Sequence, residues 1–357
     1  MRRLFFVMFS LIVLAGCGTS TRESARHQEY DGIINHSKPI AFGEDNLIHI
    51  FCGEESWKTL QPYIENSLGR ELFLVYNEKY FELELANIAD ISSLSKFKNL
   101  VFFGDLESTD KVSLYMKQSL APEFIQRVEQ SGGDMFIAKN HWVRDQIVLY
   151  VLAQNPEQLL QISGLQANQM FSILLKRYTE RLAYHAYLTK VIASNFFDAY
   201  PFKLKIPENY RLFSNDKVGR FLSFIYRARM QNREIPDKYI SIYYENMETD
   251  KVDAAWLIAR RQMIGEKYFE GDQIDEADLR IERYRFAGYE GWRIIGPWKN
   301  MKHMIGGSFQ AHGFWHEASK KAYIVDNSVF FPAGNKLPTM LELFMVSSSL
   351  EIKPTQE

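Results

Sequence analysis

Two cysteines in 357 residues cannot form a disulfide scaffold. A basic excess is also missing. The 42 Lys and Arg face 44 Asp and Glu, which argues against a nucleic-acid binder, whose footprint is a strongly basic surface. Common catalytic signatures are absent: there is no GxSxG elbow, Walker loop, HExxH pair or CxxC pair. No internal repeat or low-complexity tract interrupts the chain. What is plentiful is aromatic: 26 Phe, 19 Tyr and 6 Trp, a content that favours well-packed sheets over a lean helical bundle.

The N-terminus reads as an address. Arg2 and Arg3 precede an apolar run from Leu4 to Leu14, the n- and h-regions of a secretory signal. At eleven residues the run is short of the about 20 that a membrane-crossing helix needs. Leu14-Ala15-Gly16-Cys17 resembles the bacterial lipobox. That resemblance implies removal of residues 1–16, diacylglycerol on the Cys17 thiol, and further acyl chains such as palmitate that make anchoring stable. Cys17 would open a mature chain of 341 residues with 40 basic and 44 acidic side chains. Gly18 follows it rather than the aspartate that retains some lipoproteins in the inner membrane, which favours the periplasmic face of the outer membrane. Residues 18–40 are polar and read as a tether, long enough at roughly 25 Å to clear the headgroups. Cys52 ends a strand-like run and shares a face with Ile48 and Ile50, the position of a small core hydrophobe rather than a reactive thiol.

The body is expected to be α+β, in two layered domains. Residues 41–190 alternate strand-like runs (47–52, 71–76, 81–86, 99–103, 134–138, 146–152) with helical patterns, the signature of an α/β layer domain with a mixed sheet. Asn155-Pro156-Glu157 opens a helix pair that runs to about residue 188. Residues 200–352 read as strands, one helix, more strands and one helix, an antiparallel sheet with helices packed on it. This order is similar to the PsbP-type sandwich. The first of these helices is expected to start at Thr249-Asp250 and bury Val252, Ala255, Ala259 and Met263. Thr339 to Glu342 reads as a capping box opening the last one.

Chemistry is sparse. His303, His312 and His316, with Glu317, are the nearest thing to a metal set. In an extended strand, however, His312 and His316 lie roughly 13 Å apart, whereas ligands of one zinc ion lie about 4 Å apart. The carboxylates Glu54-Glu55, Glu245 with Glu248, and Asp272 with Asp275-Glu276 read as solvated loop and helix ends. No catalytic, cofactor-binding or metal-ligating set is assigned. Arginines at 220, 227, 229 and 233, and at 280, 283, 285 and 293, either protect strand edges or meet an anionic glycan, phosphate or lipid headgroup.

The most distinctive segment spans 292–316 and holds Trp292, Trp298 and Trp315 with Met304, Gly306, Gly307, Phe309 and His312. It is either an aromatic sheet core with a glycine bend or a groove that stacks a sugar ring or grips a peptide. Gly296-x-Trp298 followed by Met304-Ile305-Gly306-Gly307-x-Phe309 resembles the GxW…MGGxF signature of a bacterial lipoprotein family known only as a domain of unknown function. Phe331-Pro332-Ala333, the strand Asn99 to Phe103, and Trp142 with Gln146 are similar to further family landmarks. The resemblance implies a lipid anchor and a two-part body, with no activity attached. The functional expectation is therefore a lipid-anchored periplasmic protein that binds an envelope protein or glycan partner. An envelope hydrolase acting on glycan or peptidoglycan is the alternative. The anchor is open to a direct test: globomycin should cause the precursor to accumulate, and Cys17→Ser should move the protein out of the membrane fraction.

Overall fold

The computed structural model describes Ile33 and residues 37–231 and 234–354; the signal segment, Cys17, most of the tether and Arg233 lie outside them. The chain is α+β, with two sheet-rich regions.

The first region is a five-stranded sheet covered on both faces. In chain order it comprises β1 (Leu47–Cys52), α1 (Glu54–Leu68), the small hairpin β2 (Glu71–Phe73) and β3 (Asn77–Lys79), and β4 (Glu82–Leu85). One turn of helix, α2 (Ile91–Leu94), leads to β5 (Asn99–Asp105), α3 (Lys111–Ser119), α4 (Pro122–Ser131), β6 (Gly133–Lys139) and β7 (Ile147–Ala153). The pair α5 (Pro156–Leu165) and α6 (Ala167–Ala186) completes it. Strand order is β4-β1-β5-β7-β6, with β6 alone antiparallel to its neighbour. Every residue of β5 and β7 is buried, as expected of parallel strands covered on both faces. Ile48, Ile50 and Cys52 face the side packed by α1, α5 and α6. Phe51 and Phe102 face α3 and α4. Burial pushes the Cys52 thiol up to about 12, with Asp110 and Asp105 adding to the effect, so it stays protonated.

Sequence caps set the helix starts. Asp110 accepts from the amides of Val112 and Ser113, and Asn155 from that of Gln158. Gln146 is fully buried; its Oε1 accepts from the Trp142 amide and its Nε2 donates to the carbonyls of Ser95 and Phe97. α6 is fastened to the sheet end by Arg181, which is buried against Asp145 at 2.8 Å and Asn99 at 2.9 Å.

The run expected as one strand over 71–76 instead breaks after Phe73 and folds back as the β2–β3 hairpin, outside the five-stranded sheet. Leu72 and Leu74 from it join the core of the second region.

The second region is one large antiparallel sheet. After the short β8 (Phe202–Lys203) come β9 (Arg211–Asp216), β10 (Phe221–Tyr226), β11 (Asp237–Asn246) and the helix α7 (Ala254–Tyr268). Then follow β12 (Gln273–Ile274), β13 (Arg280–Phe286), β14 (Tyr289–Asn300), β15 (Ile305–His316), β16 (Lys321–Phe330), α8 (Leu337–Ser347) and β17 (Glu351–Ile352). The order is β12-β14-β15-β16-β11-β10-β9, with β13 also paired to β14. Alternation along β16 separates the faces: Tyr323 and Val325 pack under α8, Ile324 and Phe330 under α7.

Both helices depart from expectation at their starts. α7 begins at Ala254, capped by Asp253 on the Trp256 amide at 2.7 Å, whereas Asp250 serves only a local turn. Its buried stripe is Leu257, Ile258, Arg261 and Ile264, while Ala255 and Ala259 are exposed. The stripe was masked by Arg261, fully buried against Asp326 at 3.0 Å. α8 begins two residues before Thr339. Its Glu342 pairs with Lys238 at 2.6 Å instead of closing a capping box. The cap is supplied from β3: Glu78, itself buried, accepts from the amides of Lys336 and Leu337, each at 2.7 Å.

Candidate functional site

The distinctive segment folds into the β14–β15 hairpin. Its register pairs Trp298 with Gly307, Gly296 with Phe309 and Trp292 with Gly313. A Cβ on Gly307 would lie 2.0 Å from the Val329 carbonyl and 2.9 Å from the Trp298 ring. The bare backbone there lets the indole lie flat on β15. Gly306, opposite Lys299, and Met304, exposed with φ 53°, belong to the hairpin end.

On the α7 face Trp298 closes one wall of a cavity of about 280 Å³. Phe213, Tyr239, Phe269 and Phe330 form further aromatic wall, with Phe213 stacked on Phe269 at 5.5 Å and Tyr239 edge-on to it. Polar groups complete the lining. Asn300 donates to Asp272 at 2.8 Å and to the carbonyls of Phe269 and Glu270, while its oxygen accepts from the His303 amide. Arg227 bridges Asp237 and the Tyr239 hydroxyl. The Trp298 ring lines the cavity, while its Nε1 is buried away from solvent without a hydrogen-bond partner.

The carboxylates diverge in character. Burial raises Asp272 above the usual range, with the Asn300 amide opposing the shift. Glu270 is held down at about 2 by hydrogen bonds from Lys302 and His303, their charges adding to the effect. Gly265 places Asp272: a Cβ there would meet the Asp272 carbonyl at 2.2 Å, so only glycine lets the chain fold back over the end of α7.

Residues 189–348 match the model of DUF4837, a domain of unknown function. No curated protein matches the chain. Among solved structures, the Ran-binding protein Mog1p of Saccharomyces cerevisiae aligns over 43% of this chain and 90% of its own, at 11% identity and a TM-score of 0.30. LpqN of Mycobacterium tuberculosis, involved in cell envelope biogenesis, aligns over 43% and 83%, at 12% identity and 0.26. A Bacteroides thetaiotaomicron protein aligns over 44% and 47%, at 11% identity and 0.26. Likenesses this distant assign nothing to the cavity.

Within the DUF4837 domain the singled-out residues separate. Trp298 lines the cavity, and Gly307 lies against its ring. Phe309 is buried on the same face beneath the Arg261 guanidinium, 4.6 Å from its ring. Trp292 lies under Arg283 at 4.2 Å, and Trp315 donates to the Met247 carbonyl at 2.8 Å. His312 points to the other face, stacked 4.3 Å from Phe286 and near Tyr284 and Phe344. His303 meets Glu270 and His316 meets Ser319, so the three histidines serve three separate places. Among the described residues no group of three or more His, Cys, Asp and Glu could hold a metal ion.

Two readings of solvated carboxylates are overturned. Asp272 is buried at the cavity, and Glu245 binds Tyr243, Trp256 and Arg260. Sequence reasoning also missed Asp326. Its signal was an acid directly after the apolar run Ala322 to Val325 and before Val329 to Phe331, a place where a buried carboxylate needs a cation.

The His312 ring has no hydrogen-bond partner, and burial, with Arg293 adding, pushes it well below the usual imidazole value. The folded state therefore refuses a proton that the unfolded chain takes up below about pH 6.5. Stability should fall as pH drops below that value, with His312 contributing up to about 1.4 kcal/mol per pH unit. His312→Leu should remove about one proton from the slope of unfolding free energy between pH 6.5 and 5, measured by urea denaturation.

Proposed function

We propose that this chain is a bacterial envelope protein, anchored by acyl chains on Cys17, whose DUF4837 domain binds a sugar ring in the Trp298 cavity. The observation that carries the reading is the aromatic wall of Phe213, Tyr239, Phe269, Trp298 and Phe330 in one cavity with Asp272 and Asn300. A pyranose has apolar C–H faces and a rim of hydroxyls. Aromatic rings cover the faces, and carboxylates and amides take the hydroxyls. The lipobox-like segment supports delivery of the domain to a compartment where glycans are the abundant polymer.

A cavity of this size takes one or two rings, so affinities of about 0.1–1 mM are expected. Titration with chitotriose, cellotriose and maltotriose, followed by tryptophan fluorescence, should show saturation with at least one. Asp272→Asn, which keeps the shape, should weaken it; Trp298→Ala should abolish it; Trp315→Ala should leave it intact. Absence of saturation with every sugar, or unchanged binding in both cavity variants, would contradict the reading.

The divergence of Asp272, raised by burial, and Glu270, held down at about 2, favours a second reading, glycan hydrolysis, because two carboxyl groups whose surroundings push them apart are the arrangement of a glycosidase pair. Glu270 already engages Lys302 and His303, which favours binding over turnover. Release of reducing ends that stops in Asp272→Asn would reverse that preference.

A further inference from the structure

A second cavity, of about 700 Å³, lies between the two sheet regions. Its floor is apolar: Phe171 and Leu175 from α6, Ile295 from β14, and Leu341, Phe344 and Met345 from α8. The amide of Gln310, a polar group in this lining, is already committed to the Met340 carbonyl at 2.9 Å. A peptide or sugar would find few free groups there to read its hydrogen bonds.

The rim has the opposite character. Arg70, Lys176, Arg280 and Arg293 line the cavity against two carboxylates, Glu71 and Glu180. Glu180 is taken by Arg177 at 3.3 Å. Arg280 and Arg293 share the single carboxylate of Glu282. The guanidinium of Arg70 rests 4.4 Å from the Phe171 ring and donates to Asn168, a neutral partner. The exposed ammonium of Lys176 has no carboxylate partner among the described residues.

We propose that this groove binds a single-chain anionic amphiphile, its alkyl chain on the α6–α8 floor and its carboxylate or phosphate at the cationic rim. The apolar floor supplies the burial, and the surplus cations supply charge-assisted hydrogen bonds that an uncharged chain cannot use. The volume lies within the range of pockets that enclose small ligands, about 300–1,000 Å³. The site is separate from the Trp298 cavity, and it stands whether or not that cavity takes a sugar.

The test is calorimetric titration of the mature chain from residue 18 onward, which carries neither the apolar leader nor acyl chains, so that no detergent competes. Oleate and lysophosphatidylglycerol are the anionic probes; oleyl alcohol and lysophosphatidylcholine are the uncharged and zwitterionic controls. One anionic ligand per chain should bind saturably, and each control at least about tenfold more weakly. Saturation with oleate alone identifies a free carboxylate as the ligand group, and with lysophosphatidylglycerol alone a phosphate; either supports the site. The double variant Lys176→Ala, Arg280→Ala alters only exposed side chains. It should weaken anion binding at least about tenfold and leave the melting temperature unchanged. Controls that bind as tightly as the anions, uptake of many ligands without saturation, or a double variant that binds like the parent would overturn the proposal.

Discussion

The carboxylate of Glu78 ties the β2–β3 hairpin to the start of α8. Helix α8 starts at Leu337 with no capping side chain of its own, and its first amides face protein rather than water. Glu78 arrives from a hairpin 258 residues earlier and accepts from two of them. A buried anion at a helix N-terminus satisfies orphan donors and meets the positive end of the helix dipole. Once α8 is fixed, Leu337, Met340, Leu343 and Val346 close the core of the antiparallel sheet. Its flank carries Leu341, Phe344 and Met345 into the groove shared with α6. The other wall of that groove is fixed independently, by Arg181 at the end of the five-stranded sheet.

The two faces of the large sheet divide the remaining work. Under α8 the packing is aromatic and aliphatic, and it leaves His312 no protonated option. Under α7 polarity is concentrated: Arg261 with Asp326 deep in the face, Asp272 with Asn300 nearer the rim. A buried ion pair is weak evidence for stability, since desolvation offsets its attraction. Its consequence here is directional. The pair fixes how α7 lies on the sheet, and so where the turn after α7 delivers Asp272 and Glu270 to the cavity.

Much of this arrangement was legible in the sequence. Strand-like apolar runs placed β1, β5 and β7, and Asn155-Pro156-Glu157 announced its helix. The order of elements gave the α+β class and the antiparallel character of the second sheet. What escaped was whatever a local pattern cannot encode. Glu78 carries no local signal, because its partners lie at the far end of the chain. Arg261 broke the apolar period of α7 because its counter-charge sits on β16. Trp292, Trp298 and Trp315 stood out as one segment, but their division into cavity wall and packed neighbours depends on elements far from it, β9 and α7. β9 was missed altogether, since Leu212 and Phe213 on it are exposed and carry no alternating signal.

The central claim is that Glu78 sets α8 and, through it, joins the two sheet regions. Backbone hydrogen exchange in the parent chain and in Glu78→Ala tests it most directly. The account predicts at least about tenfold faster exchange at Leu343 and its neighbours on α8, with the amides of β5 and β7 unchanged. Unchanged protection along α8 in the variant would contradict it.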